Sequence, residues 1–152
     1  MRLALFQPDI PQNLGAALRL GACLGVPIDV IEPCGFPLFD RAIGRAALDY
    51  GAKAQVVRHA GWTDFLKART GRLLLFTTRG AQAFHSFRYR PDDILLFGRE
   101  SAGVPDEVHD AADARLAIPL AAGTRSLNLA TSAAMALGEA LRQTDGFPKP
   151  AA

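Results

Sequence analysis

The stretch GTRSLNLATSAAMAL, residues 123–137, sets Arg125, Ser126 and Asn128 directly ahead of a run of small apolar residues. A serine hydroxyl or an asparagine amide at such a place can cap a helix while neighbouring backbone N–H groups face a ligand. Arg19 is a second conspicuous residue. It lies among Leu14, Ala16, Ala17, Leu18, Leu20, Ala22 and Leu24, where a long cation needs an anionic partner or an aqueous cleft. Asn13, at the head of the same stretch, suits either the N-cap of a helix or a polar contact in a site. Glu100 follows the apolar run in LLFGRESAG and can orient a ligand or pair with Arg99 or another arginine.

These residues need elements to hold them. Short apolar runs alternate with helical patterns: RLALF, then residues 13–24; IDVIE, then RAIGRAALDY; AQVVR, then TDFLKA; RLLLFTT; DILLFG; ARLAI, then a closing helix. This alternation predicts an α/β domain with a mainly parallel sheet flanked by helices. RLLLF and ILLF show no polar alternation and belong at the centre of the sheet. Functional groups of such sheets collect beyond the carboxyl ends of the strands. There lie QPDIPQN, EPCGF, TTRG, GRESAGVP and PLAAGTRS. Residues 129–137 are apolar all round, which predicts a helix covered on every side, by the rest of the chain or by a second subunit.

The 152 residues, 49% of them hydrophobic, fit one domain over residues 1–145 and a loose tail over 146–152. A formal net charge of +2 permits a nucleic-acid partner met through a local patch. Cys23 and Cys34 form no C-x-x-C pair and no metal-ligand spacing. Together with the lack of a secretion signal or of any run near roughly 18 apolar residues, this points to a cytoplasmic protein without a membrane segment.

Familiar nucleotide motifs fail. Gly15, Gly21 and Gly25 fall inside a helical pattern rather than in G-x-G-x-x-G, and GRESAG is followed by Val104 and Pro105 where a P-loop needs Lys and Ser or Thr. A dehydrogenase or a nucleotide hydrolase is disfavoured. A ligand with an adenosine but no phosphate needs only backbone hydrogen bonds and apolar walls, which loops bordered by Phe76, Phe97, Ile118 and Leu120 can supply. His59, His85 and His109 share no ligand spacing and read as surface or packing residues. FHSFRYR, residues 84–90, reads as an RNA-stacking segment or as a half-buried loop.

Taken together, NLGAALRLGACLG, LLFGRESAGVP and IPLAAGTRSLNLATSAAMAL resemble the three ordered motifs of the SPOUT-class (SpoU branch) RNA ribose 2′-O-methyltransferases. QPDIPQN, IEPCGF and RAALDY are similar to the short, TrmL-like subgroup that methylates the wobble ribose of tRNA. The resemblance implies a C-terminal trefoil knot and S-adenosylmethionine bound in the knotted loops, with no metal. It implies a homodimer whose two subunits form the RNA site for an anticodon stem-loop. Arg19, Asn13, Glu100, Ser126 and Asn128 would then carry the reaction, and Phe76, Thr77, Gly98, Ile118, Leu120, Ser126 and Leu127 would contact the methyl donor. Arg99 stands where relatives often have proline. The alternatives are an RNA-binding relative without activity, or a methyltransferase for another tRNA or rRNA position. Arg41, Arg45, Arg79, Arg88, Arg90 and Arg125 are the candidates for RNA contact.

Overall fold

A computed structural model of the chain describes residues 1–38, 45, 55–79 and 82–151. Its strands are β1 (Arg2–Phe6), β2 (Ile28–Ile31), β3 (Val56–His59), β4 (Leu73–Phe76), β5 (Gln82–Ala83), β6 (Ile94–Phe97) and β7 (Ala114–Ala117). Its helices are α1 (Pro11–Leu24), α2 (Trp62–Ala68), α3 (Asp106–Ala111) and α4 (Leu129–Thr144). All strand pairs are parallel and the order is β3-β2-β1-β6-β4-β7-β5, which puts β6 in the middle with β1 and β4 beside it.

The unbroken apolar strands follow from burial on both faces. Leu3, Leu5, Leu74 and Leu95 pack with Leu14, Leu18, Leu137 and Leu141 of α1 and α4. Ala4, Phe6, Leu73, Leu75 and Leu96 point the other way, onto Phe65 and Val108 of α2 and α3. Successive strand residues thus serve opposite layers, so neither face leaves a polar position.

Several expectations need correcting. The first helix begins at Pro11, two residues earlier than the apolar pattern suggests, because proline's fixed φ and missing N–H suit a first turn. Ile10 occupies the N-cap without a side-chain cap, so Asn13 is an interior residue and not the cap. The closing helix buries Leu129, Ala133, Ala136, Leu137, Ala140 and Leu141. Thr131, Ala134 and Met135 are exposed, so within one chain the helix is covered on one side only. Alanines on both faces conceal this amphipathicity. Strand β5 and helix α3 carry too few residues for a periodic signal. The helix expected over RAIGRAALDY lies outside the described residues except at Arg45, which is helical.

Asp93, fully buried just ahead of central β6, accepts hydrogen bonds from Arg72 Nε and Nη2, both at 2.8 Å, and from the Arg90 backbone N–H at 2.7 Å. The Arg72 guanidinium also lies 5.1 Å from the centre of the Phe87 ring. Asp93→Ala leaves these donors unmatched and should cost about 2–4 kcal/mol. Thermal unfolding should show a fall of roughly 5–15 °C; an unchanged midpoint would mean that Arg72 finds another acceptor.

Candidate active site

The loops after β1, β6 and β7 meet at the carboxyl edge of the sheet. After β1, Gln7 takes φ 46° and turns the chain toward Asp9. After β6, residues 98–103 form a tight turn closed by two backbone hydrogen bonds of 2.9 Å between Arg99 and Gly103. Gly103 has φ +64°, and a Cβ at Gly98 would stand 2.7 Å from the Gly103 carbonyl carbon. Both positions need glycine for backbone reasons. Arg99 contributes its N–H to this turn, a bond that proline could not make, and its Nε reaches the Gln7 carbonyl at 3.4 Å.

A chain of polar contacts joins the three loops. The Asp9 backbone N–H donates to Glu100 Oε2 at 3.0 Å, and the Glu100 N–H returns a bond to Asp9 Oδ1 at 3.2 Å. The Ser101 hydroxyl donates to Asp9 Oδ2. Asn13, 8% exposed, donates from Nδ2 to Glu100 Oε1 at 3.3 Å and accepts from Asn128 Nδ2 at 2.8 Å. Asn128 Oδ1 in turn accepts from the N–H groups of Ala130 and Thr131 at 2.9 and 3.2 Å, capping α4. Asn128 rather than Ser126 is therefore the cap.

The two carboxyl groups are pushed apart. Interaction with Glu100, then with the Ser101 hydroxyl, holds Asp9 well below the usual carboxylate range. Burial, then the nearness of Asp9, raises Glu100 above it.

This network forms one end of a cavity of about 600 Å³. Asn13, Glu100, Ser126, Asn128, Phe76, Thr77, Gly98, Ile118, Leu120 and Leu127 all lie on its wall. Arg19 does not: it is exposed on α1, outside the wall. The Phe76 and Phe97 rings stack 4.9 Å apart with their planes 16° from parallel. At the other end Thr77 N–H donates to the Leu116 carbonyl at 2.8 Å, and Arg79 Nη2 to Asp106 Oδ1 at 3.3 Å. Apolar side chains such as Phe76, Phe97, Leu116 and Ile118 share the wall with polar ones, Arg79, Arg99 and Arg125 among them, and the space is large enough for a nucleoside-sized ligand.

Sequence reasoning missed two residues. Asp9 sits inside QPDIPQN, but its bond to a turn 91 residues away has no local signal. His109 is buried and lines the cavity, whereas its sequence context suggests only packing. His59 is a packing residue, with Nε2 2.8 Å from Asp29 Oδ1, and His85 is exposed. In FHSFRYR, Phe84 and Phe87 are half-buried and Tyr89 is buried, its hydroxyl donating to the Phe84 carbonyl at 2.9 Å, so the segment is a packed loop with Arg88 and Arg90 outside.

Comparison with known proteins decides the family. The model of the SpoU rRNA Methylase family matches residues 1–138. The chain belongs to this family. A relative from Beijerinckia indica named tRNA (cytidine(34)-2'-O)-methyltransferase is 55% identical over 150 residues, 97% of this chain and 94% of that protein. An Escherichia coli protein of the same name is 37% identical over 151 residues, 97% and 96% of the two chains. A solved structure concerned with "the 2-OH methylation of C/U34 on tRNA" superposes with a TM-score of 0.86 at 41% identity, covering 93% of this chain and 94% of the other. An AdoMet-bound rRNA methyltransferase from Sinorhizobium meliloti gives 0.82 at 28% identity, covering 93% of this chain and 55% of that one. The parallel sheet observed here is thus the SpoU architecture.

Two outcomes test the network. Asn128→Ala removes a helix cap and the donor to Asn13, and should lower stability by about 1–2 kcal/mol in chemical unfolding. The carboxyl pair also predicts a pH signature. Glu100, with its raised value, stabilises the fold at low pH and loses that contribution as pH rises through its own titration; Asp9 stabilises above its ordinary value and loses its contribution as pH falls toward about 2. Carbon-detected carboxyl titration should show Glu100 titrating above Asp9, and the reverse order would contradict the geometry.

Proposed function

We propose that this SpoU-family chain is an S-adenosylmethionine-dependent methyltransferase acting on the 2′-hydroxyl of the wobble ribose, cytidine or uridine, in the anticodon stem-loop of tRNA. The observation that carries the reading is the convergence of Asn13, Glu100 and Asn128, one from each sequence motif, in a single hydrogen-bonded group on the wall of a nucleoside-sized cavity. The relatives named above support the substrate, and the AdoMet-bound relative supports the donor.

When bound, the donor supplies a methyl group on a positively charged sulfur, which leaves S-adenosylhomocysteine once a ribose oxygen has taken the methyl. The residues that would hold it are Phe76, Thr77, Gly98, Ile118, Leu120 and Leu127, mainly through backbone groups. Ser126 and Asn128 orient the hydroxyl or the donor, and Glu100 with Asn13 fixes the loops around them. The tight turn at 98–103 and the stacked phenylalanines exclude water from that end.

Arg19 acts as a positioning residue. A guanidinium stays protonated and is a poor proton acceptor, but its fork suits the phosphate next to the target ribose, and that phosphate or a water takes the proton that the 2′-hydroxyl loses. Its exposed place on α1, outside its own cavity, favours a homodimer in which two copies complete the RNA site. The open face of α4 at Thr131, Ala134 and Met135 gives a second copy apolar surface to cover. The trefoil knot belongs to the same reading; the order β1-β6-β4-β7 supports it by bringing the loops after β6 and β7 around one cavity. Among the described residues no helix is long and apolar enough to cross a membrane, and a cytoplasmic site of action follows from the substrate.

The test is incubation with isotope-labelled S-adenosylmethionine and unfractionated tRNA, followed by nuclease digestion and mass spectrometry. Label is expected on a wobble ribose. Label on another ribose would keep the chemistry and move the position, and no label would favour an RNA-binding relative without activity. Arg19→Lys keeps the charge and loses the fork, so methylation should slow by about tenfold or more; a rate equal to that of the original chain would contradict bidentate positioning.

A further inference from the structure

His109 takes no part in the polar network, yet its setting is that of a ligand contact. It lies on α3, is 4% exposed and forms part of the cavity wall. Its carbonyl accepts from Arg115 Nε at 3.1 Å, which fixes the end of the helix. Its ring nitrogens have no hydrogen-bond partner among the described residues, where no fully enclosed side-chain nitrogen or oxygen lacks one. The ring therefore keeps an accessible polar edge at a nearly buried position. Leucine would serve packing alone at lower desolvation cost.

We infer that the His109 imidazole makes a hydrogen bond to the purine of the bound methyl donor and selects for that base, an inference that rests on the donor reading above. Placement favours the base over the reacting end. Asn13 and Asp9 follow β1, while Thr77 and Arg79 follow β4, on the far side of β6. The Arg79–Asp106 contact ties α3 to that side. Two strand spacings, about 10 Å, separate the two groups of loops, so His109 faces the part of the donor remote from the transferred methyl.

Depth favours the base over the amino-acid end. His109, with Phe97 and Leu116, is among the most buried residues of the wall. A strongly hydrated carboxylate belongs at a rim, and a flat heteroaromatic ring belongs in such a slot. Burial, then Arg79 and Arg115, push the imidazole below its ordinary pKa, against the opposing pull of Asp106 and Asp110. The ring is neutral at pH 7 and offers one N–H donor and one acceptor, the pair that matches a purine edge with its ring nitrogens and amino group.

Calorimetric titration of two ligands separates the outcomes: S-adenosylhomocysteine, and 5′-methylthioadenosine, which has the same base and sugar but no amino-acid part. His109→Leu should weaken both by the same factor, about five- to tenfold, and His109→Gln, which restores a polar group near the Nε2 position, should recover part of the loss. A thermal melt of each variant shows that the fold is intact. Unchanged affinities in the leucine variant would overturn the contact. A loss confined to S-adenosylhomocysteine would overturn the purine assignment and place His109 at the amino-acid end. If the original chain binds neither ligand, the donor reading fails and this inference falls with it.

Discussion

The Asn13 amide is the hinge on which the site depends. Its Nδ2 holds Glu100 and its Oδ1 is held by Asn128, groups 87 and 115 residues away in the chain. These bonds bring the β7 loop to the loops after β1 and β6, which Asp9 also joins through Glu100 and Ser101. Asn13 is buried and Glu100 half-buried, so losing a partner strands a group whose desolvation is then unmatched. The same atoms serve two ends: Asn128 caps α4 with its oxygen and reaches Asn13 with its nitrogen. Stability of the closing helix and shape of the cavity are thereby linked.

Charge is distributed to match. Arg69, Arg72, Arg115 and Arg142 are engaged by Asp113, Asp93, Asp110 and Glu139. Basic character on the cavity wall comes from Arg99 and Arg125, beside Arg79, which pairs with Asp106. With a net charge of only +2, attraction of an anionic partner rests on such local placement rather than on the field of the whole molecule.

Much of this was legible from residues alone. RLLLF and ILLF are apolar because both faces are covered, and they lie at the centre as their pattern predicts, with RLALF on the other side of ILLF. The site residues came from the family resemblance, and all of them except Arg19 lie on the cavity wall: Phe76 ends β4, Asn13 lies in the first turn of α1, and the rest lie in the loops after β4, β6 and β7. What stayed hidden depends on distant partners. Asn13 carries cap-like chemistry, but Pro11 starts the helix first. Met135 and Ala134 are small or apolar on a face that is open, so composition suggested cover. Asp9 and His109 owe their roles to a turn and a cavity assembled from remote segments, which no local pattern records.

A double-mutant cycle on Glu100→Ala and Asn128→Ala tests the linked wall most directly, because the two side chains touch only through Asn13. S-adenosylhomocysteine affinity and unfolding free energy would be measured for both single variants and the pair. One continuous network predicts that the second substitution costs less once the first is made, with a coupling above about 0.5 kcal/mol. Strict additivity in both quantities would show that the loops hold their places independently, and would contradict the central role of Asn13.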